Sequence, residues 1–439
     1  MRDARKAGPT VWTNWAGNQR ASATAVLAPT NEDEVAAAVR AAVANGRRIK
    51  PVGSAHSFTD IAHTDDQRLD LSRLAGLISV DTETRRVTVG AGLTLRVLNQ
   101  VLAAHNLALP NLGDIDAQTI SGAISTGTHG TGADYGCLST FVDELALVTA
   151  AGDLLRCSAT EHPDVFAAAR VGLGAVGVIV AVTLRCVDAF MLQADEQPAP
   201  LAAVLDDLPA HIANNDHFEF YWFPYTERVQ TKANNRVPAD HQPLSRLRRW
   251  LDDDFLSNTV FTGACRLGKA IPAVVPAISA VSARALTART YTAVSHRVFC
   301  TPRRVRFVEM EYALPRPALP DALAALRRII DTLPFKVLFP VEVRFTAPDD
   351  IWLSHGYGRE SAYLAIHQYV GVPYEPYFQA FEKVAAAMGG RPHWGKLHYR
   401  DAESLRPAYP RFADFLAVRD RLDPDRVFAN TYTERVLGS

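Results

Sequence analysis

The chain has 439 residues, of which 48% are hydrophobic and 21% charged, and its formal net charge is −1 at pH 7. This length predicts two or three domains, and the balanced charge excludes a general attraction to nucleic acid or to an anionic membrane. Five scattered cysteines without CxxC spacing favour reduced thiols over a disulfide framework or a zinc site. The polar N-terminus and the lack of a long apolar stretch predict a cytoplasmic protein with no membrane span and no metal site.

The first predicted elements are a strand, a helix and a second strand that ends in a glycine-containing loop. Ala25–Pro29 is predicted as a short strand, and Thr30–Asn45 as a helix because polar and acidic residues open it and an Asn-Gly pair ends it. The strand Arg48–Val52 then runs into the loop Pro51–Asp60, which we call the first glycine loop. Cofactors tend to bind at the carboxyl ends of such strands.

A second glycine loop, Asn111–Gly132, holds five glycines and nine Ser, Thr, Asn or Asp residues but no lysine or arginine. Such a segment cannot build a core, and its glycines let backbone amides converge into a nest for a ligand. A long surface loop is the alternative. The elements around it are predicted as the strands Leu77–Asp81, Arg86–Gly90, Asp143–Thr149 and Leu154–Ser158 and the helix Thr94–His105.

The third glycine loop, Val171–Val178, matches the G-x-G-x-x-G pattern of nicotinamide-cofactor sites. That fingerprint leaves a strand and enters a helix. Here a helix-like segment, Asp164–Arg170, precedes the glycines and a β-branched run, Val178–Leu184, follows them. The order disfavours a Rossmann site. Three such loops along one half of the chain instead predict a dinucleotide held mainly by main-chain amides.

The second half of the chain is predicted to begin near Val187–Asp195, where strand patterning gives way to the Pro- and Ala-rich Gln197–Pro209. Asp216–Thr226 holds six aromatic residues and is predicted as a largely buried strand whose rings mostly belong to the core. Within Val341–Phe345, apolar residues alternate with one acid and one arginine, so both charges share a face. From the residues alone, a solvent-facing ion pair explains this pattern as well as a buried site does.

Motifs along nearly the whole chain resemble the vanillyl-alcohol-oxidase-type FAD oxidoreductases, and within them the sugar-1,4-lactone oxidases and dehydrogenases. These motifs are GSAHSFTDIA, NLGDI…STGTHGTG, LGAVGVIVAVTL, EVRFTAPDD, HWGKLHY and LDPDRVFANTYTERVLG. The resemblance implies an α+β fold with a PCMH-type FAD-binding domain of two subdomains over residues 11–187. It further implies an antiparallel-sheet cap domain for the substrate over 188–392 and a C-terminal segment, 393–439, that returns to the flavin.

The resemblance also implies which residues bind FAD. They are Val52, Gly53, Ser54, Ala55, His56, Ser57, Phe58, Gly113, Asp114, Ser121, Gly122, Ser125, Thr126, Thr128, His129, Gly177, Val178 and Lys396. In many relatives the histidine matching His56 is bonded covalently to the flavin 8α carbon, and we expect that bond here. Ala55 stands where relatives usually have glycine. If that position needs a positive φ, alanine costs about 1 kcal/mol there.

Catalytic residues follow from the same resemblance. The family carries the Glu-x-Arg pair, here Glu342 and Arg344, in its active site, and His367 matches a histidine beside the substrate. Tyr369 shares a strand face with His367, and it and His393 are further substrate candidates. Lys396 matches a lysine near flavin N1, where a cation stabilises the anionic reduced flavin.

The expected reaction is the oxidation of a sugar-1,4-lactone (L-gulono-, L-galactono- or D-arabinono-1,4-lactone) at its C2 hydroxyl. Hydride passes to flavin N5, an ascorbate-type product forms, and the electrons go on to oxygen or to a cytochrome- or dye-like acceptor. Relatives that exclude oxygen can carry alanine where this chain has Gly113, so oxygen use is permitted.

Three alternatives remain open. An alditol oxidase would oxidise a polyol, although alditol enzymes favour Ala-Ser where this chain has Gly113-Asp114. A flavin-binding protein without turnover is the second, and a nicotinamide-dependent dehydrogenase is the third.

Overall fold

The computed structural model describes residues 11–238, 261–301 and 303–439. A three-stranded parallel sheet, in the order Ala25–Leu27, Gln67–Asp70 and Ile49–Val52, lies at the start of the chain. The helix Glu32–Ala44 connects its first and third strands, and the Asn31 side chain caps that helix by accepting from the Glu34 amide at 2.9 Å. The predicted strand–helix–strand unit is confirmed, and its last strand delivers the chain to the first glycine loop.

A five-stranded antiparallel sheet forms the second layer of this half. Its strands follow the order Leu154–Ser158, Val142–Val148, Val178–Arg185, Arg86–Gly90 and Leu77–Asp81. The helix Pro163–Ala169 precedes the third glycine loop and a strand follows it. The predicted order of helix, glycine loop and strand is confirmed, and it is the reverse of the order in a nicotinamide-binding fingerprint.

An eight-stranded antiparallel sheet dominates the second half. Its strands follow the order Arg289–Val294, Met191–Pro200, Arg228–Val237, His217–Trp222, Val341–Thr346, Ser361–Tyr369, Phe307–Pro315 and Arg391–Pro392. On one face, apolar side chains pack with the helices Leu319–Thr332 and Glu375–Ala387. The alternation of a strand sends every second residue to the opposite face, and there the sheet carries buried charged groups.

The expected loss of strand patterning at Gln197 is wrong, because the strand continues through Pro200. Met191–Pro200 pairs with Arg228–Val237 along its whole length but pairs with Arg289–Val294 only as far as Glu196. Pro198 and Pro200 therefore lie where the second edge of the strand is unpaired, and a missing amide hydrogen costs nothing there.

The remaining elements are short strands and helices that complete the two halves. The strands are Trp12–Thr13, Arg20–Ala21, Leu107–Ala108 and Val187–Asp188. The α-helices are Leu95–Ala104, Ile120–Ser125, Leu201–Asp206, Leu208–Ala213, Phe261–Ala270, Val275–Ala285, Ser295–Phe299, Ala402–Leu405, Phe412–Leu422 and Thr431–Leu437. The 3₁₀ helices are Asp60–Ala62, Leu71–Arg73, Leu138–Phe141, Pro272–Val274, Arg316–Ala318 and Arg406–Ala408. Among the described helices, none combines the length and the apolar character needed to cross a membrane.

The C-terminal segment contacts the first glycine loop directly. The Phe58 amide donates to the Gly395 carbonyl at 2.7 Å, and the Asn430 side-chain nitrogen lies 2.9–3.0 Å from the carbonyl oxygens of Asp60, Ile61 and His63 and shares its two hydrogens among them. Asn430 also caps the helix Thr431–Leu437. One side chain thus fixes both the last helix and the end of the loop. The proposed domain boundaries at 187/188 and 392/393 stay predictions.

Replacing Asn430 by alanine removes a helix cap and the side-chain amide that donates to the carbonyls at the end of the first glycine loop. We expect it to lower the free energy of unfolding by about 2–4 kcal/mol. Asn31→Ala removes a cap of the same type at an exposed helix start and should cost about 1 kcal/mol. Urea unfolding of the holoprotein compares the two, and equal losses of stability would contradict the role assigned to Asn430.

Candidate active site

A cavity of about 440 Å³ lies between the glycine loops and the charged face of the eight-stranded sheet. A narrower groove of about 100 Å³ adjoins it, because His56, Ser57 and Thr126 line both spaces. The cavity is lined by residues from four strands of the sheet, from the first and second glycine loops and from the His393–Lys396 turn. The groove is lined by residues of all three glycine loops.

The first glycine loop carries backbone amides that have no hydrogen-bond partner in the described part of the chain. The backbone amides of residues 54–57 have no acceptor among the described residues. Ala55 has φ +59°. This position therefore needs a positive φ, and an alanine there is strained because it adopts the left-handed conformation. Its carbonyl accepts from the Trp15 amide at 2.8 Å, which holds the strained turn in place. Four successive amides without an acceptor could bind an anionic or electron-rich ligand.

His56 follows the strained residue and is available for chemistry. Its Nδ1 atom is buried without a hydrogen-bond partner, and its ring stacks on Trp15 with centroids 5.9 Å apart. Burial and the nearby Lys396 charge lower the pKa of His56, which keeps the imidazole neutral and nucleophilic. The unpartnered atom fits the covalent flavin attachment that the motif implies.

Gly113, in the second glycine loop, packs tightly on its neighbour. A Cβ added there would lie 2.8 Å from the backbone carbonyl oxygen of His129. A side chain at position 113 would therefore force the loop backbone to move.

Arg344 is the centre of the charged shelf on the sheet. Its guanidinium contacts Asp114, lies 2.9 Å from Glu219 and lies 2.5 Å from Glu342. The three carboxylates approach within 4.8 Å of one another. The guanidinium stands where a metal ion would in such a set, and it accounts for the cluster of acids.

Two of the three acids contact a second cation in addition to Arg344. Arg303 lies 2.6 Å from Asp114, and Lys232 lies 3.6 Å from Glu219. Burial alone would raise the pKa of Asp114, but Arg344 and Arg303 bring it well below its usual value. Burial and the charges of Asp114 and Glu219 raise the pKa of Glu342 to about 7, although Arg344 and His367 act to lower it. The Tyr221 hydroxyl donates to Glu342 at 3.0 Å.

A second cluster joins the sheet to the C-terminal segment. Glu309 contacts the Lys396 ammonium and lies 3.4 Å from His367 Nε2. Burial would raise the pKa of Glu309, but these two groups lower it to about 2. The charge of Glu309 in turn holds the pKa of Lys396 above its usual value despite burial. Lys396 is therefore a cation fixed at the cavity wall.

A third cluster contains His129, Glu311 and His393. His129 Nε2 lies 3.1 Å from a Glu311 oxygen, and His129 Nδ1 faces the Gly130 carbonyl at 2.8 Å. The Gly395 amide donates to His393 Nδ1 at 3.0 Å, and burial lowers the pKa of His393 well below its usual value. Neutral His393 must then carry its proton on Nε2. Two histidines and a glutamate could in principle bind a metal ion. Here, however, hydrogen bonds already occupy ring nitrogens of both histidines, which argues against a metal site.

Most of the predicted site residues lie in these two spaces. The cavity is lined by His56, Ser57, Phe58, Gly113, Asp114, Thr126, Thr128, His129, Glu342, Arg344, His367, His393 and Lys396. The groove is lined by Val52, Gly53, Ser54, Ala55, Ser121, Gly122, Ser125 and Gly177, together with the shared residues. Val178 and Tyr369 line neither space. The Tyr369 ring instead lies near the Lys269 ammonium, at 5.9 Å.

Several groups of the site escaped the sequence analysis. They are Glu219, Tyr221, Lys232, Arg303, Glu309 and Glu311. The alternation of acidic and apolar residues within two strands could have revealed some of these groups. Glu219 alternates with buried aromatics, and Glu309 and Glu311 alternate within the run FVEMEYALP.

Residues 182–436 match the family described as D-arabinono-1,4-lactone oxidase, and residues 23–158 match an FAD-binding domain. An L-gulono-1,4-lactone dehydrogenase of Mycobacterium tuberculosis is 44% identical over 98% of this chain and 99% of its own length. The chain belongs to the D-arabinono-1,4-lactone oxidase family. Other relatives are the L-gulonolactone oxidase of Bos taurus, 36% identical over 97% of both chains, and an alditol oxidase of a Streptomyces species, 34% identical over 98% and 99%.

Among solved structures, cholesterol oxidase from B. sterolicum superposes with a TM-score of 0.81 at 19% identity, covering 98% of this chain and 97% of that one. At that identity the likeness shows the fold alone. The expected α+β fold, a PCMH-type FAD-binding domain with an antiparallel-sheet domain, is confirmed. The family match, the FAD-binding-domain match and the similarity to a lactone dehydrogenase show that this protein is an FAD-dependent oxidoreductase that acts on CH–OH donors. The prediction from its motifs is confirmed.

The strain at Ala55 can be measured by restoring glycine. Ala55→Gly should stabilise the protein by about 0.5–1 kcal/mol, because relief of the left-handed conformation exceeds the added chain entropy. Ala37→Gly, the same substitution on the exposed face of the helix Glu32–Ala44, should cost about 1 kcal/mol. Urea unfolding with excess FAD compares the two variants. A loss of stability in both would contradict the strain argument.

Proposed function

We propose that this enzyme oxidises a sugar-1,4-lactone of the L-gulono-, L-galactono- or D-arabinono-1,4-lactone type at its C2 hydroxyl, giving an ascorbate-type product. The observation that carries the proposal is the buried shelf around Arg344 on the wall of the cavity. It offers a fixed cation beside an acid whose pKa is about 7. Oxidation of a secondary alcohol needs both: a base for the hydroxyl proton and a positive group for the oxygen that loses it.

Glu342 acts as the base. When ionised it accepts the C2 hydroxyl proton, and the Tyr221 hydroxyl, which donates to it at 3.0 Å, fixes the orientation of the carboxylate. Arg344 binds the substrate oxygen as negative charge develops there. Asp114 and Glu219 hold the guanidinium in one position, so little reorganisation is needed during the reaction.

FAD, when bound, supplies the hydride acceptor. The residues that would hold it are the free amides of residues 54–57, His56 and the small side chains of the adjoining groove. Lys396, fixed by Glu309, would balance the negative charge of the reduced cofactor. His367 and His393 would complete the wall against which the lactone is oriented.

The acceptor of the electrons is oxygen or another oxidant that reaches the cavity. Gly113 supports oxygen use through the resemblance, because relatives that exclude oxygen can carry alanine there. An alditol oxidase is the second candidate, since a relative of that name matches the whole chain. Asp114 favours the lactone, because the resemblance places serine there in alditol enzymes and this carboxylate changes the charge around Arg344.

The test is anaerobic bleaching of the flavin by one substrate at a time. L-gulono-, L-galactono- and D-arabinono-1,4-lactone should reduce the enzyme at micromolar to millimolar concentrations, while xylitol and sorbitol should leave it oxidised. Reduction by the polyols alone would replace the proposal by the alditol reaction. An oxidised flavin with every compound would support a binding protein without turnover.

The rate of flavin reduction should rise with pH through about 7 and then level off, because Glu342 accepts a proton only when ionised. Glu342→Gln should lower that rate about 10²- to 10⁴-fold and remove the titration. Stopped-flow absorbance at saturating lactone gives both quantities. A Glu342→Gln enzyme that keeps the wild-type pH profile would exclude Glu342 as the base.

The flavin should be bonded to His56. Acid precipitation of the wild-type protein should leave the yellow colour in the pellet, and His56→Ala should release it to the supernatant. His63→Ala, in the same segment but outside both spaces, should behave as wild type. Colour in the wild-type supernatant would leave FAD binding intact and disprove the covalent bond.

A further inference from the structure

A second guanidinium lies beside the charged shelf and takes no part in the proton and hydride transfers proposed above. Arg303 lines the cavity, and its side chain is 38% exposed, compared with 9% for Arg344. Its Nη2 atom lies 2.6 Å from an Asp114 oxygen. Its Nε and Nη1 atoms have no acceptor among the described residues. Their N–H groups are therefore available to a ligand in the cavity.

The segment that carries Arg303 is attached to the second glycine loop. The Cys300 thiol donates to the Gly113 carbonyl at 3.3 Å, and the Thr301 amide donates to the Asp114 carbonyl at 3.0 Å. The ion pair between Arg303 and Asp114 adds a third contact between the two segments. Arg303 is therefore held in place before a substrate arrives, and less conformational entropy has to be lost on binding.

One carboxylate joins the two guanidiniums. Asp114 contacts Arg344 through Oδ1 and Arg303 through Oδ2, so the two cations are neighbours on the cavity wall. In a 2-hydroxy lactone, the hydroxyl oxygen on C2 and the carbonyl oxygen on C1 are carried by adjacent carbons. Two neighbouring cations therefore match two neighbouring oxygens of the proposed substrate.

The donor character of arginine decides which substrate oxygen Arg303 suits. A guanidinium donates hydrogen bonds and accepts none. The hydroxyl groups of a sugar lactone both donate and accept, so the carboxylates of the wall can bind them. The carbonyl oxygen only accepts, and it needs a donor. Arg344 is assigned to the C2 oxygen and Lys396 is paired with Glu309, which leaves Arg303 for the carbonyl.

We propose that Arg303 binds the C1 carbonyl oxygen of the lactone and thereby selects a lactone over a polyol; this rests on the proposed lactone oxidation. A polyol places a hydroxyl group where the lactone has its carbonyl. The oxygen of that hydroxyl could accept from Arg303, but its hydrogen would then need an acceptor of its own. Asp114, the acid beside Arg303, already binds two guanidiniums. The polyol is therefore the poorer ligand at this position.

Two ligands that cannot be oxidised at C2 test the assignment by binding alone. One is the 2-deoxy derivative of L-gulono-1,4-lactone, and the other is the same ring with the C1 carbonyl replaced by a methylene group. Titration of the oxidised holoenzyme, followed by the change in flavin absorbance, gives both dissociation constants. Arg303→Met should raise the constant of the 2-deoxy lactone about 10- to 100-fold, because a charged hydrogen bond is lost, and should change that of the methylene analogue less than about twofold.

Two further variants serve as controls. Arg304→Met should bind both ligands as wild type does, because Arg304 is also exposed but is not among the residues that line the cavity. Arg303→Lys keeps a cation beside Asp114. If Arg303→Met weakens both ligands equally and Arg303→Lys restores both, the effect belongs to the charge of Asp114 and the inference is overturned.

The concentration dependence of flavin reduction gives a second readout. In Arg303→Met, the half-saturating concentration of L-gulono-1,4-lactone should rise at least about tenfold. The limiting rate should fall less than about fivefold, because Glu342 and Arg344 remain. A limiting rate that falls more than the half-saturating concentration rises would make Arg303 part of the chemistry and overturn its assignment to the carbonyl.

These outcomes separate the assignment of Arg303 from the proposed function. If lactones bleach the flavin but Arg303→Met binds the 2-deoxy lactone as wild type does, the assignment fails and the lactone oxidation stands. If the 2-deoxy lactone binds through Arg303 but no lactone bleaches the flavin, the assignment stands and the oxidation at C2 fails.

Discussion

One buried guanidinium organises the chemistry of this enzyme. Arg344 is 8% exposed and contacts Asp114, Glu219 and Glu342, which come from a loop and two neighbouring strands. An unpaired charge could not remain in such a place, and removing one partner of a buried pair is strongly destabilising. The cluster therefore fixes the second glycine loop against the sheet. Within the cluster, burial and the two other acids raise the pKa of Glu342 to about 7, and Glu342 is the proposed base.

The cofactor side of the cavity depends on a different constraint, which is backbone geometry. The left-handed residue Ala55 lies in the first glycine loop, where the amides of residues 54–57 have no acceptor among the described residues and the His56 ring stacks on Trp15. Strained conformations of this kind persist when the surrounding contacts over-determine them. The Gly395 carbonyl and the Asn430 side chain supply such contacts from the far end of the chain. The C-terminal segment is therefore part of the completed site.

The sequence predicts local features of this structure well. The strand–helix–strand unit, the order of elements around the third glycine loop and the shared face of Glu342 and Arg344 all follow from patterns a few residues long. The contact between Arg344 and Asp114 could not be predicted in this way, because the two residues lie 230 positions apart in the sequence. Glu309 and Glu311 were missed for a related reason. A strand shows which residues share a face but not which face meets the cavity. Pro198 was misjudged because its unpaired edge depends on where a neighbouring strand ends.

The proposed chemistry depends on Glu342, whose pKa burial and the charges of Asp114 and Glu219 raise to about 7. Infrared difference spectroscopy of the oxidised holoenzyme, titrated between pH 5 and 9, observes that carboxyl group directly. A protonated-carboxyl band should disappear with a midpoint near 7 and should be absent from the Glu342→Gln variant. A spectrum in which no such band titrates in this range, or in which the band persists in the variant, would contradict the account.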